Sequence, residues 1–380
     1  MLKYLSLFSG IGSPEQALKN LGIEFELFRF SEIDKYAIKS YCAVHGVDES
    51  LNLGDITKID IESLPLDIDL ITHGSPCQDF SVAGRGKGGD LGSGTSSSLM
   101  WNTVAICEHC QPKFVIWENV KNVLSKKHRH NFEKYLEEMD RIGYNNFYQI
   151  LNAKDYGVPQ NRERIFVVSI RKDLNKDFEF PKGFDNGIRL KDILEDEVDE
   201  KYYFSLEKTR GFIEKYSGIG GGNSLYMVGL LNIKGTEQVR RVYDPKGICP
   251  CLSTMQGGNR QPKVIESFKV KQATKKGYDI AYLGDSINLE QPNSSTRRGR
   301  VEKQIANTLT TSCNIVAAVK ANNIEYRIRK LTPLETWRLM GFKDEQFLKA
   351  EQVCSNSQLY KQAGNSIVVN VMEEIFKNLI

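Results

Sequence analysis

No stretch of about 18 consecutive apolar residues occurs in the 380-residue chain, which argues against a membrane-spanning helix. The first residues run directly into a strand-like segment, so no signal peptide is expected. Cysteine is sparse. Eight cysteines over this length are too dilute for a secreted disulfide scaffold, and a reduced cytoplasmic setting fits better. The one near-metal cluster, Cys107, His109 and Cys110, lacks a second half at zinc spacing, so it reads as helix packing and no metal is expected. No Walker loop is present either, which disfavours a triphosphate ligand. Neither apolar nor charged residues are depleted. At 40% and 26% they are ordinary globular usage, which excludes disorder and fibrous folds.

The length suggests two or three domains at roughly 150 residues each, or one large domain with an inserted module. The net charge of +3 becomes informative once it is divided. Residues 205–325 hold 18 Lys and Arg against 10 Asp and Glu, a balance of +8 that leaves −5 on the remainder. A basic segment joined to an acidic remainder suits a chain of which one part meets a polyanion.

The first half alternates strand and helix signals. Tyr4–Phe8, Glu26–Phe30, Asp69–Thr72, Phe114–Trp117 and Arg164–Ile170 read as strands, with helices over Lys35–His45 and Asn131–Gly143. That alternation predicts an α/β fold with a parallel, doubly wound sheet. Past Pro181 the chain turns rich in Gly, Asn, Ser and Arg, with short β-like pieces. Helix signals return after Leu331, with Pro333 in the first turn. The expected layout is residues 1–185 as a main domain, 186–325 as a small, mainly β insert, and 326–380 completing the main domain. Within the insert, Ile248–Thr254 is weakly repeated as Ile305–Thr311.

Leu7-Phe8-Ser9-Gly10-Ile11-Gly12-Ser13 follows a predicted strand and opens a predicted helix, where glycines allow a sharp turn and close ligand approach. Glu32, twenty residues after Gly12, stands where a carboxylate can accept bonds from both ribose hydroxyls. Gly54-Asp55-Ile56 adds a carboxylate suited to an adenine amino group. The ligand favoured is one with adenosine and no triphosphate. Cys77, in Gly74-Ser75-Pro76-Cys77-Gln78-Asp79-Phe80-Ser81, stands at a strand's carboxyl end, where α/β enzymes place chemistry. A cysteine alone is most often a small core residue. Here Pro76 fixes the backbone, and the basic loop Gly84-Arg85-Gly86-Lys87-Gly88-Gly89 reads as a lid over a phosphate-bearing partner. Trp117-Glu118-Asn119 ends another strand, suited to a planar polar ring. Gln160-Asn161-Arg162-Glu163-Arg164 places two guanidiniums nearby, either surface salt bridges or partners of Glu118.

Taken in order, Phe8-Ser9-Gly10-Ile11-Gly12, Gly54-Asp55, Pro76-Cys77-Gln78, Glu118-Asn119-Val120, Gln160-x-Arg162-x-Arg164, Arg329-Lys330-Leu331-Thr332-Pro333 and Gly364-Asn365-Ser366-Ile367 resemble the motifs of the C5-cytosine DNA methyltransferases. The resemblance covers about residues 1–170 and 326–380. It implies a Rossmann-like S-adenosylmethionine-dependent methyltransferase sheet carrying an inserted target-recognition domain at 186–325. It implies Cys77, Glu118, Arg162 and Arg164 as catalytic residues. Phe8, Gly10, Gly12, Glu32, Ile33, Asp55, Ile56, Pro76, Asn365 and Ser366 would bind S-adenosylmethionine. Gln78, Ser81, Arg85, Lys87, Arg241, Asn259, Arg260, Gln261, Arg297, Arg298 and Arg300 would meet DNA. In that family the C-terminal helix packs beside the N-terminal strand, which would bring Asn365 and Ser366 near Phe8.

The implied reaction adds the Cys77 thiolate to C6 of a flipped-out cytosine, so that C5 can accept a methyl group. The expected partner is double-stranded DNA, with no membrane and with a monomeric enzyme. A paired restriction endonuclease and a bacterial or phage origin stay open, as does the recognised sequence. Two alternatives share the motifs, a tRNA cytosine-5 methyltransferase and a non-catalytic DNA-binding regulator on the same scaffold.

Overall fold

The computed structural model describes residues 1–76, 80, 88–90, 92–205, 213–214, 222–266, 268–271, 278–281, 286–288, 301–302, 315–317 and 327–380. They form two compact units. The first comprises Met1–Ile188, Pro250–Gln256 and Pro333–Ile380, and the second Arg189–Cys249 and Gly257–Thr332. The sequence reading assigns all of 186–325 to the insert. The structure instead returns Pro250–Gln256 to the first unit, for a reason that the site makes clear.

The first unit is built on a six-stranded sheet. Its strands are β1 (Leu2–Leu7), β2 (Phe25–Ser31), β3 (Leu70–His73), β4 (Phe114–Val120), β5 (Tyr144–Asn152) and β7 (Glu163–Arg171), with Gln160–Asn161 a short β6 outside it. Their order is β2-β1-β3-β4-β7-β5. Strands β1 to β4 run parallel. Helices α1 (Ser13–Asn20), α2 (Lys35–His45), α3 (Met100–Cys110) and α4 (Arg129–Arg141) lie between the strands along the chain. Strand β7 departs from the expected parallel pattern and is antiparallel to both β4 and β5. The cause is connection length. Between Asn152 and Glu163 the chain holds only the turn Ala153–Asp155 and β6, too little for the crossover that parallel pairing needs. Strand β5 is absent from the sequence reading because it is an edge strand with polar residues such as Asn145 and Gln149 exposed.

Strand order reverses between β1 and β3, so the carboxyl ends of these two strands flank the crevice where open α/β sheets bind ligands. The last helix, Val369–Leu379, buries Val369, Met372, Ile375, Phe376 and Leu379 and packs on α1. Asn20 Nδ2 donates to Glu373 Oε1 at 2.6 Å across that contact. Cys107 and Cys110 lie on α3 within the main core, beside Trp117 and Tyr135. Burial pushes both thiols up, Cys110 to about 11, so they are inert packing groups. The His109 ring bonds the Leu64 carbonyl at 3.0 Å.

The second unit is mainly β. A five-stranded sheet contains Met227–Leu230, Arg241–Tyr243, Lys263–Glu266 and Arg327–Lys330, around a small core of Val228, Leu231, Val242, Ile265 and Ile328. Among the described residues, no helix is long and apolar enough to cross a membrane.

Gly12 caps α1 in a left-handed conformation (φ 78°), and a Cβ there would stand 2.1 Å from His45 Nε2 and 2.9 Å from Tyr41 Cε2. Burial lowers the His45 pKa to about 3, with Lys19 adding to the effect, so the ring is neutral and donates from Nε2 to the Ile11 carbonyl at 3.0 Å. Gly12→Ala combines a backbone penalty with an overlap. It should lower unfolding free energy by about 2–5 kcal/mol, seen as a reduced urea midpoint at unchanged slope.

Candidate active site

A cleft opens at the switch point, lined by Ser6–Gly10, Ser13 and Pro14 from the first turn, Thr72–Gly74 from β3, Glu118 from β4, and Asn365–Ile367 from the C-terminal segment. The turn is held open by backbone geometry. Phe8 (φ 53°) and Gly10 (φ 56°) are both left-handed, and nothing lies within 4 Å of a Cβ built on Gly10. Ser9 is pinned to β2, its N–H and its hydroxyl each donating to the Ser31 carbonyl at 3.1 Å. Glu32 completes the clamp. Its Oε2 accepts from Gly10 N–H at 2.9 Å, and its Oε1 accepts from Ile33 and Asp34 N–H at 2.8 and 2.9 Å. A carboxylate offers about four lone-pair sites, so one remains, on Oε2.

Sequence reasoning missed Asn52. Its Oδ1 accepts from Glu32 and Gly54 N–H at 3.1 and 3.0 Å, and its Nδ2 donates to the Glu32 carbonyl at 3.0 Å. An asparagine between two acidic motifs carries no spacing signal, and only the folded geometry shows that it joins them.

On β4 successive side chains alternate in direction. Trp117 Nε1 donates to Ser75 Oγ at 3.0 Å, and Asn119 Nδ2 donates to the Ser75 carbonyl at 3.1 Å. Those two bonds tie Ser75 to β4, and Glu118 faces the cleft. Glu118 is 9% exposed. Arg164 Nε stands 3.1 Å from its Oε1, and that oxygen has no aligned hydrogen bond among the described residues. Burial pushes the Glu118 carboxyl above the usual range, with Arg164 and then Arg162 pulling against it.

The spacing Gln160-x-Arg162-x-Arg164 has a direct structural meaning. Extended backbone sends alternate side chains to one side, and all three reach the segment that starts at Pro250. Gln160 Oε1 accepts from Leu252 N–H at 3.1 Å, while its Nε2 donates to the Leu339 carbonyl at 2.8 Å. Arg162 Nη1 donates to the Leu252 carbonyl at 3.2 Å, and its Nη2 donates to the carbonyls of Gly364 and Ser366 at 3.1 and 2.8 Å. Arg164 Nη2 lies 3.9 Å from Cys251 Sγ. Arg162 was expected behind Arg164, helping it to hold Glu118. It is 3% exposed and donates to main-chain carbonyls, while Arg164 stands against Glu118. Gly364 fits the same contact, because a Cβ there would meet the Ser253 carbonyl oxygen at 2.1 Å.

The C-5 cytosine-specific DNA methylase family model matches residues 2–380. The chain belongs to that family. It is 38% identical to the orphan methyltransferase M.SPBetaI of Bacillus phage SPbeta, over 100% of this chain and 97% of that protein. It is 30% identical to the type II methyltransferase M.HhaI of Haemophilus parahaemolyticus, over 100% and 94%. Among solved structures, the S. pombe Dnmt2 methyltransferase aligns over 99% of this chain and 97% of its own with a TM-score of 0.58 at 20% identity. The Entamoeba histolytica methyltransferase EhMeth covers 100% and 98% with a TM-score of 0.63 at 14% identity. The chain thus carries the Rossmann-like methyltransferase sheet and is an enzyme of the DNA cytosine-5 methylase class.

In this methylase, Phe8, Gly10, Glu118, Asn365 and Ser366 share the cleft. Gly12 is outside that lining, and its missing side chain makes room for His45 and Tyr41 of α2. Ile33 projects beside the clamp at 72% exposure. Asp55 caps the turn Ile56–Lys58 with bonds from Thr57 N–H and hydroxyl at 3.0 and 2.8 Å, which hold its carboxyl below the usual range. The Ile56 side chain is buried in the main core. The Pro76 carbonyl accepts from Ser97 Oγ at 2.8 Å. Cys77, Gln78, Ser81, Arg85, Lys87, Arg297, Arg298, Arg300 and the second repeat copy lie outside the described residues. In the second unit, Arg241 pairs with Glu237 at 3.2 Å, Arg260 is exposed, and Asn259 and Gln261 are half-buried.

Arg162→Ala leaves three carbonyls without their donor. It should cost about 3–5 kcal/mol of stability and accelerate amide exchange at Leu252. Arg164→Ala should leave Leu252 protected. Equal protection in both variants would contradict the division of labour between the two arginines.

Proposed function

We propose that this methylase is sequence-specific, takes its methyl group from S-adenosylmethionine, and acts on a cytosine flipped out of duplex DNA through a covalent adduct with Cys77. The observation that carries the reading is that Glu118, paired with Arg164, shares one cleft with the Phe8–Gly10 turn and with Asn365 and Ser366.

The cleft suits the cofactor. Glu32 keeps one acceptor site free beside Gly10, the exposed Ile33 offers an apolar face to adenine, and Asp55 retains Oδ2, with Lys58 Nζ 3.9 Å away. Phe8, Gly10, Asn365 and Ser366 would line the rest of the bound molecule. S-adenosylmethionine, when bound, supplies an electrophilic methyl group.

The chain's own residues supply the activation. C5 of cytosine is a poor nucleophile, so covalent addition at C6 must come first. The Cys77 thiolate gives its electron pair to C6, and the displaced ring electrons move toward N3. Glu118, pushed up by burial, holds a proton toward N3 and accepts from the exocyclic amine. Arg164 keeps the carboxyl oriented and balances the charge as it changes. After C5 has been methylated, loss of the C5 proton and departure of the thiolate restore the aromatic ring. C6 is covered in a stacked duplex, so the base must leave the stack at a cost of a few kcal/mol. Gln78, Ser81, Arg85 and Lys87 would close over the base. The recognition unit supplies phosphate contacts through its basic residues, the cluster Arg297, Arg298 and Arg300 among them. We place base reading in the Gly257–Gln261 loop, where Asn259, Arg260 and Gln261 suit base edges.

Duplex DNA carrying 5-fluorocytosine at the target should trap the wild-type chain covalently, because no proton can leave C5. Cys77→Ala should form no adduct and lose methyl transfer by at least about 10³-fold while still binding cofactor. Wild-type turnover in that variant, or preferred methylation of tRNA over duplex DNA, would overturn the reading.

Glu32→Gln should raise the S-adenosylmethionine KM about tenfold, as expected for one lost hydrogen bond to a charged group. DNA affinity should change less. A loss confined to DNA binding would contradict the assignment of Glu32 to the cofactor.

A further inference from the structure

Lys263 is a lysine whose burial the reaction does not explain. It opens the strand Lys263–Glu266 in the second unit and is 1% exposed. Its strand partners are Val242 on one side and Lys330 on the other. Among the described residues, no acidic side chain neutralises it. Its ammonium donates instead to two main-chain carbonyls, those of Asn259 and of Gln261, the latter at 2.7 Å. Burial, and then the like charge of Lys330, lower its pKa to about 7, so the two carbonyls bear the task of solvating it.

Those carbonyls belong to an unusual loop. Gly257, Gly258 and Asn259 are left-handed in succession, with φ of 69°, 61° and 57°. A Cβ on Gly257 or Gly258 would meet nothing within 4 Å, so these glycines serve the backbone conformation and leave the surface open. With the carbonyls of residues 259 and 261 directed inward to one ammonium, the side chain between them, Arg260, is exposed.

We propose that Lys263 is the positioning residue for sequence discrimination: its ammonium fixes the Asn259–Gln261 backbone and so presents Arg260 to a base edge. This inference rests on the reading of the chain as a sequence-specific DNA methylase. It separates the loop's shape, set from beneath by a buried cation, from the contact its tip makes.

The test uses the full chain and three variants. Lys263→Met keeps the aliphatic stem and removes the donors, Lys263→Gln keeps an amide donor, and Arg260→Ala leaves the buried site intact. Without DNA, amide exchange across residues 257–261 should quicken at least tenfold in Lys263→Met and less in Lys263→Gln, with peptides of the first unit unchanged. Bisulfite sequencing after reaction with a random-sequence duplex library should show discrimination at one base position falling tenfold or more in Lys263→Met. Arg260→Ala should relax the same position, and Lys263→Gln should recover part of the loss. Three results would overturn the proposal: wild-type exchange in Lys263→Met, a uniform loss of rate with discrimination intact, or full discrimination in Arg260→Ala. The last result applies even if Lys263→Met does not fold. A wild-type chain that methylates no duplex cytosine would overturn the functional reading and the discrimination claim with it. The exchange measurement would still judge whether Lys263 holds the loop.

Discussion

A single buried guanidinium gathers the site. Arg162 donates to the carbonyls of Leu252, Gly364 and Ser366, three groups drawn from two segments far from it in sequence. A charge removed from water must be solvated by something, and oriented carbonyls do that without competing acids. The same requirement explains why Pro250–Gln256 belongs with the first unit. Gln160 binds the Leu252 amide hydrogen and Arg162 binds the Leu252 carbonyl, so both polar groups of that buried residue are satisfied by the extended segment facing it. The C-terminal segment is fixed by the same cation, which places Asn365 and Ser366 at the cleft.

Two opposed electrostatic choices meet in that cleft. Beside the Gly10 turn, Glu32 accepts three backbone N–H groups. Burial instead pushes the Glu118 carboxyl above the usual range, with Arg164 limiting the shift. The left-handed Phe8 is the backbone strain spent on this arrangement. The Ser9 and Glu32 clamps on either side of the turn account for its persistence.

Much of this was legible in the sequence where chemistry and period coincide. Helix α2 begins and ends at the expected Lys35 and His45, because its apolar face repeats at helical spacing. Glu118 and the Gly10 turn were found because a carboxylate and a glycine at strand ends have few other uses. Strand β5 was hidden because an edge strand needs little apolar content. The role of Arg162 was hidden for a different reason: a guanidinium that binds carbonyls looks, in a sequence, like one that binds a carboxylate. Asn52 and Lys263 act on backbone groups, and backbone groups leave no trace in the identity of their residues. At Gly12 the missing side chain makes room for His45 and Tyr41, a packing requirement that sequence spacing does not reveal.

The reversed direction of β7 bears on how the enzyme behaves during turnover. Because β7 runs against β4, its beginning lies beside the end of β4, and the ladder pairs Val120 with Arg164 and Glu118 with Phe166. Glu118 and Arg164 are therefore diagonal neighbours on adjoining strands, within reach of long side chains. Their separation is fixed by interstrand hydrogen bonds in the interior of the sheet, and no loop has to move to create it. The charge partner of the Glu118 carboxyl is thus preorganised. Whatever closes over the substrate pays no reorganisation energy for that pair.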